Sequence, residues 1–345
     1  MIDHIFKPGI YHGRDNNQIY FEGWYYKLIS ADQKYRWAVI PGIFHHPDPD
    51  RAHAFVQVLN GITSKVVYHR YPFEVFSASK NEFDIRVGSN HFHSNGLSLN
   101  LSGENQHIQG DLVFGKLQPW PVNLLSPGVM GPFRYAPFMQ TYHGILSLDH
   151  EINGSLMING SGVNLSKGRG YMEKDWGRTF PRAYIWMQSN HFRETGVSLT
   201  ASVATIPWLT GWFRGFLVGF LVQGSLYRFT TYLGSEINQL LVNDDFVKWS
   251  LQGSSRSCPS AVFSGYRLEI KAHKGHGGLL SSPELDGMTP RILESLTGDI
   301  EVTLVGLDIK GNMREIIYQG KGTSAGLEIA GTVNEIADLN LLEKK

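Results

Sequence analysis

Of the residue types that place a protein quickly, this chain of 345 residues has few. Its one cysteine, Cys258, excludes an intrachain disulfide and any site built from several thiolates, and fits a reducing compartment. Charge bias is absent. The 31 Lys+Arg balance 31 Asp+Glu, so nothing in the net charge favours a phosphate backbone, and no nucleic-acid partner is expected. Long apolar runs are missing too. The strongest, Ile206 to Val222, is interrupted by Pro207, Arg214 and three glycines, and its uncharged part, Gly215 to Val222, is far shorter than the ~20 residues of a membrane-spanning helix. It reads as a strand, a Gly-rich turn and a second strand. Its Trp208-to-Phe216 portion can also form an apolar lip that touches a membrane surface or admits a greasy substrate. The N-terminus, Met1 to Pro8, lacks the pattern of a secretory signal or an Arg/Ser-rich transit segment, so a cytoplasmic location is the expectation, peripheral to a membrane if the lip binds lipid.

Helical periodicity is scarce. In its place, short runs of aromatic and β-branched residues recur between Gly, Asn, Ser, Asp and Pro, which is the pattern of an all-β chain. Strands are expected at 20–29, 35–40, 54–59, 97–102, 108–114, 144–148, 154–161, 183–190, 197–205, 225–232, 266–272, 298–307 and 316–318. That number exceeds one small barrel. Two β-barrels or sandwiches are therefore expected, residues 1–150 and 151–345, with the Pro-rich stretch from Pro119 to Pro137 as the best boundary candidate and the junction between about 120 and about 170.

The chemistry gathers in two places. In Phe21-Glu22-Gly23-Trp24-Tyr25-Tyr26 the two-residue period sets Glu22 beside Trp24 and Tyr26. A carboxyl desolvated among rings stays protonated as a general acid, or else it pairs with a Lys or Arg on the neighbouring strand. In Gly170-Tyr171-Met172-Glu173-Lys174-Asp175-Trp176-Gly177-Arg178, Glu173 and Asp175 share a face, with Lys174 and Trp176 opposite. That pair could be an acid and its orienting base. Equally, Asp175 could cap a turn while Glu173 pairs with Arg178 or Arg182. Next along the chain, Tyr184, Trp186, Gln188, Asn190 and Phe192 share one face of an extended run, so rings and amides point the same way, as a ligand pocket would want.

Those blocks, together with Tyr227-Arg228-Phe229-x-Thr231-Tyr232-x-Gly234, resemble the tocopherol cyclase family, itself similar to a wider group of tandem lipocalin-like proteins that includes carotenoid hydratases. The resemblance runs from Phe21 to Gly234. It implies two calycin-type antiparallel β-barrels in tandem with an apolar cavity at or near their junction, and an intramolecular ring closure on a prenylated quinol or related isoprenoid lipid. Such a reaction protonates a trisubstituted alkene and traps the tertiary cation with a phenol oxygen, so it demands neither a metal nor a redox cofactor. Asp175 is the first choice of proton donor, then Glu22, then Glu173. Trp24, Tyr26, Trp176, Tyr184 and Trp186 are the expected wall for the cation, with Lys174 or Arg182 orienting the oxygen.

Two signals for other chemistry are weak. His45-His46 and His91-Phe92-His93 lack metal-site spacing, so no metal is expected, and Lys274-Gly275-His276-Gly277-Gly278 lacks the Gly-Lys-Ser/Thr end of a phosphate loop. Two alternatives to the cyclase stay open. A hydratase would add water to the same kind of double bond, and a non-catalytic carrier would hold an apolar ligand with its carboxylates tying strands together.

Overall fold

The computed structural model describes residues 3–14, 18–103, 106–137, 139–208 and 211–337. After a single turn of helix, α1 (Asp3–Phe6), the architecture is antiparallel β throughout, as expected. The first sheet begins with β1 (Tyr20–Ile29), β2 (Arg36–His45), β3 (His53–Asn60) and β4 (Val66–Tyr71). Five more strands follow: β5 (Phe76–Ala78), β6 (Asp84–Val87), β7 (Asn90–His93), β8 (Gly96–Gly103) and β9 (Gln106–Phe114). It is completed by β10 (Thr141–Ile158), β11 (Ser161–Asn164) and β12 (Gly168–Gly177). The order is β4-β3-β2-β1-β12-β10-β9-β8-β7-β6-β5, with β11 beside β10.

The second sheet opens with β13 (Tyr184–Ser189), β14 (Ser198–Trp208), β15 (Gly211–Val222) and β16 (Ser225–Thr230). It continues with β17 (Glu236–Val242), β18 (Phe246–Ser254), β19 (Gly265–His273), β20 (Gly277–Glu284), β21 (Gly287–Leu307) and β22 (Met313–Ala330). Its order is β16-β15-β14-β13-β22-β21-β19-β18-β17, with β20 beside β21. The two units are lipocalin-like, and each encloses a core of its own, one around Trp24, Tyr26, Met172 and Trp176, the other around Ile185, Met187, Phe220 and Trp249. No helix among the described residues is long and apolar enough to cross a membrane.

The units do not divide at residue 150. That position lies inside β10, and the compact units are Met1–Phe180 with Gly278–Ile292, and Pro181–Gly277 with Leu293–Lys345. The reason is β12. Met172 and Trp176 point to the same side as Trp24 and Tyr26 and fill the same core, so the stretch expected to lead into the second barrel pairs between β1 and β10 of the first. The Pro-rich stretch interrupts the strands as expected, with a 3-10 helix at Gly131–Tyr135 inside it, but it belongs wholly to the first unit. Within that unit, Gln57 ties down residue 281: its Nε2 donates to the Ser281 carbonyl at 3.3 Å and its Oε1 accepts from the Ser281 N–H at 2.7 Å. Sequence distance hides such ties.

Candidate functional site

Strands β1 and β12 present two chemically different faces, because the register sets Glu22 opposite Trp176, Trp24 opposite Lys174, Gly23 opposite Asp175 and Tyr25 opposite Glu173. Side chains alternate along each strand, so Glu22, Trp24, Lys174 and Trp176 share the core face. Gly23, Tyr25, Glu173 and Asp175 share the other.

On the core face Glu22 and Lys174, both fully buried, form an ion pair. The carboxylate also accepts the backbone N–H groups of His12, at 3.0 Å to each oxygen, and of Gly13 at 3.1 Å, with the Tyr20 hydroxyl donating at 2.5 Å. Burial would raise the Glu22 carboxyl, but the Lys174 ammonium and His12 overcome it and hold it at about 2. Glu22 is therefore a carboxylate, not the protonated acid that its aromatic neighbours suggested. The salt-bridge alternative is the one realised. Lys174 is spent in the same way. Its ammonium donates to the carbonyls of Ile10 and, at 3.1 Å, Pro8, and to His12 Nδ1 at 2.8 Å, between the rings of Trp24 and Trp176, each 4.7 Å away. Burial lowers it to about 8, opposed by Glu22. His12, pushed to about 4 by burial and then by Lys174, is neutral and stacks on Trp176 at 4.6 Å. Trp24 and Trp176 thus serve a resident cation rather than a substrate's, and Tyr26 lies wholly within the core. The cluster fastens residues 8–13 to the sheet. Removing one partner of such a pair costs about 3–5 kcal/mol, because the other charge stays buried alone.

The second face holds an ionisable set that reaches solvent. β10 runs beside β12 with His143 opposite Asp175. His143 Nδ1 lies 2.8 Å from Asp175 Oδ1, and its Nε2 lies 3.8 Å from Glu173 Oε2, which also accepts a 2.5 Å hydrogen bond from the Tyr171 hydroxyl. Burial would lower the imidazole, but Asp175 and Glu173 outweigh it and raise it to about 9. At neutral pH it is an imidazolium donating to Asp175. The Asp175 side chain keeps 26% of its surface accessible, against 7% for Glu173, so Asp175 is the member a ligand can reach. One ligand atom from each of His143, Glu173 and Asp175 lies within 4.8 Å of the others, close enough to share a cation. The histidines singled out from sequence do not converge in this way: His45 meets Tyr11 at 2.6 Å, and His91 meets Asp84 at 2.9 Å.

Gly23 faces Asp175 across the strand pair, and a Cβ built there would meet nothing nearer than Ile40 Cγ2 at 3.8 Å. Phe21 and Tyr25 flank that gap on the same face, with Phe21 edge-on to Phe180 at 5.3 Å. The acid group thus looks across a notch bordered by rings. His143, Tyr171 and Gly23 were not legible as site residues. His143 lies before the expected strand at 144–148, and only the register brings it to Asp175.

The remaining expected residues stand on or beside β13 in the second unit. Ile185 and Met187 enter its core, so Tyr184, Trp186 and Gln188 point to the opposite side as the alternation required. All three are buried, as is Asn190, and the Tyr184 hydroxyl donates to Glu328 Oε2 at 2.7 Å. Phe192, expected on their face, packs in the core against Phe220 because the strand ends at Ser189. Arg182 is a largely exposed side chain paired with Glu335 at 2.7 Å.

Comparison with known proteins agrees with this architecture. The chain is 25% identical over 201 residues to the chloroplastic tocopherol cyclase of Zea mays, and 24% identical over 204 residues to a probable chloroplastic tocopherol cyclase of Oryza sativa subsp. japonica. Each match covers 56% of this chain but 40% of the plant protein. The crystal structure of CghA superposes with a TM-score of 0.54 at 12% identity, over 91% of this chain and 89% of that one, which is a likeness of fold. The sequence profile of the tocopherol cyclase-like family matches residues 129–331, a span that contains His143, Glu173 and Asp175. With more than half its length matched, the chain belongs to the tocopherol cyclase-like family.

Proposed function

We propose that this chain is an acid-catalysing enzyme of the tocopherol cyclase type, closing a ring on a prenylated quinol or related isoprenoid. The observation that carries the reading is Asp175, accessible, held by the His143 imidazolium, and facing the Gly23 notch between Phe21 and Tyr25. Family membership and the plant relatives' names support the same reaction type.

In this reading the proton that the His143 imidazolium holds against Asp175 passes through the Asp175 carboxyl group to the less substituted alkene carbon, the π electrons make the new C–H bond, and the tertiary carbon becomes cationic. The phenol oxygen bonds to that carbon. Its proton then returns by way of the Asp175 carboxylate to His143, so product and substrate are isomers and the pair is restored. Glu173, held by Tyr171, helps keep the resting imidazole charged. Rings bordering the notch stabilise the cation by about 0.5–2 kcal/mol per contact. Excluding water decides the product, since the same cation trapped by water gives an alcohol.

Purified protein is incubated with a prenylated hydroquinone and the products are weighed by mass spectrometry. An isobaric ring-closed product is expected, with turnover falling about 10²–10⁴-fold in Asp175→Asn. Turnover in a chelator is expected to be unchanged. A product heavier by one water makes the protein a hydratase; tight binding with no product from any prenyl quinol makes it a carrier, and the cyclase reading fails.

A further inference from the structure

The β14–β15 hairpin continues past its neighbours. β13 pairs with β14 only as far as Ala204, and β16 pairs with β15 only from Leu217 onward. Thr205 still donates its backbone N–H to the Ala183 carbonyl at 2.9 Å, so the pairs Ile206↔Phe213, Pro207↔Trp212 and Trp208↔Gly211 form a ribbon with no third strand paired to it among the described residues. Three residues of strand extend about 10 Å.

Both faces of this ribbon are apolar: Pro207 and Trp212 lie on one and Ile206, Trp208, Gly211 and Phe213 on the other, while Thr205 and Arg214, whose guanidinium donates to the Ile336 carbonyl at 2.9 Å, stand at the base. A ribbon inside a water-soluble sheet buries one face and wets the other. Here Pro207 is exposed, Trp212 is 48% exposed, and Trp208 and Phe213 are half-buried while packing edge-on to each other at 6.1 Å. Two-stranded ribbons are marginal in water on their own.

We propose that this end of the β14–β15 hairpin, through Pro207, Trp208, Trp212 and Phe213, is a membrane-surface anchor whose partner is the headgroup and upper acyl layer of a lipid bilayer. Trp and Phe rings favour that layer, and Arg214, at the base, falls at headgroup level. Insertion is shallow, because the strand edges need water or headgroups to satisfy their backbone groups. A second copy of the chain is the weaker occupant. Three partly buried aromatic side chains of roughly 150–250 Å² each reach only the low end of the ~600–1,000 Å² that each partner of a stable protein interface contributes. A bilayer needs no such complementary area.

Flotation of the full chain with phosphatidylcholine vesicles, with and without phosphatidylserine, tests the idea independently of any reaction. The wild type is expected to float with both vesicles, Trp212→Phe to float nearly as well, and Trp212→Glu to partition about tenfold more weakly at an unchanged thermal midpoint. Pro207→Glu, on the same face, is expected to repeat the Trp212→Glu result should that variant fold poorly. Failure of the wild type to float with either vesicle overturns the proposal. So does vesicle binding that neither glutamate variant weakens, or a dimer in buffer that Trp212→Glu dissociates, which would give the tip to a second copy.

Discussion

At the scale of single residues, one strand carries two opposite uses of charge. Lys174 and Asp175 are neighbours in sequence, yet Lys174 is sealed among Glu22, His12 and two indoles while Asp175 meets solvent and an imidazolium on the other face. The difference is the two-residue alternation and nothing subtler. It also gives the site a pH signature. The folded-state pKa of His143 is about 9 against an ordinary 6.5, so the folded state binds the proton more tightly than the unfolded chain. The stability contributed by this contact is thus fully present below about pH 6.5 and is lost as the pH rises through about 9. Lys174, lowered to about 8 from 10.5, works in the other direction from about pH 8 upward, so the clean measurement is a difference. Urea midpoints of the wild type and His143→Gln should converge as the pH is raised from 6.5 to 9; a constant gap between them would show that the imidazolium is not what binds β10 to β12.

At the scale of elements, two glycines on the acid-bearing face have contrasting reasons to be there. Gly177, at the end of β12, has φ +148°, and a Cβ on it would come within 2.3 Å of the Gln140 carbonyl oxygen. Gly23, on β1, has room for a methyl group but lies opposite Asp175, where any larger group enters the notch. Gly177→Ala should therefore destabilise the chain by about 1–3 kcal/mol in denaturant titration with the residual folded enzyme still active. Gly23→Ala should be close to neutral, and Gly23→Phe should cut turnover while leaving the unfolding midpoint nearly unchanged. Full activity in Gly23→Phe would remove the substrate from this notch.

At the scale of the whole molecule, the first unit closes through its most distant parts. β1 pairs with β12 from Phe21↔Gly177 to Ile29↔Arg169, and residues 278–292 return to the same unit from much later in the chain. Loops of that length cost entropy before their contacts form, so folding is expected to be slow and to wait on the arrival of β12. A fragment ending at residue 150 lacks the strand that lies between β1 and β10 and the lysine that neutralises Glu22. It should give no cooperative unfolding transition in circular dichroism. A cooperative transition in that fragment would mean that the first unit is complete without β12.

How much of this was legible follows from which interactions are local. Alternation of rings and β-branched residues is written in the sequence at short range, so the all-β class, the exact span of β1 and the facing of Tyr184, Trp186 and Gln188 could be read directly. The motif around Asp175 was equally visible and led to the right family. Register was not visible, because it depends on which strands meet, across about thirty residues for His143 and Asp175 and more than a hundred for Glu22 and Lys174. Only the tertiary structure decided that β12 belongs to the first unit, that Glu22 faces a lysine and stays charged, and that His143 is the partner of Asp175. Side-chain chemistry nominates an acid from sequence alone. Whether that acid is neutralised or poised depends on the charge that folding brings within about 4 Å of it, and composition carries no record of that distance.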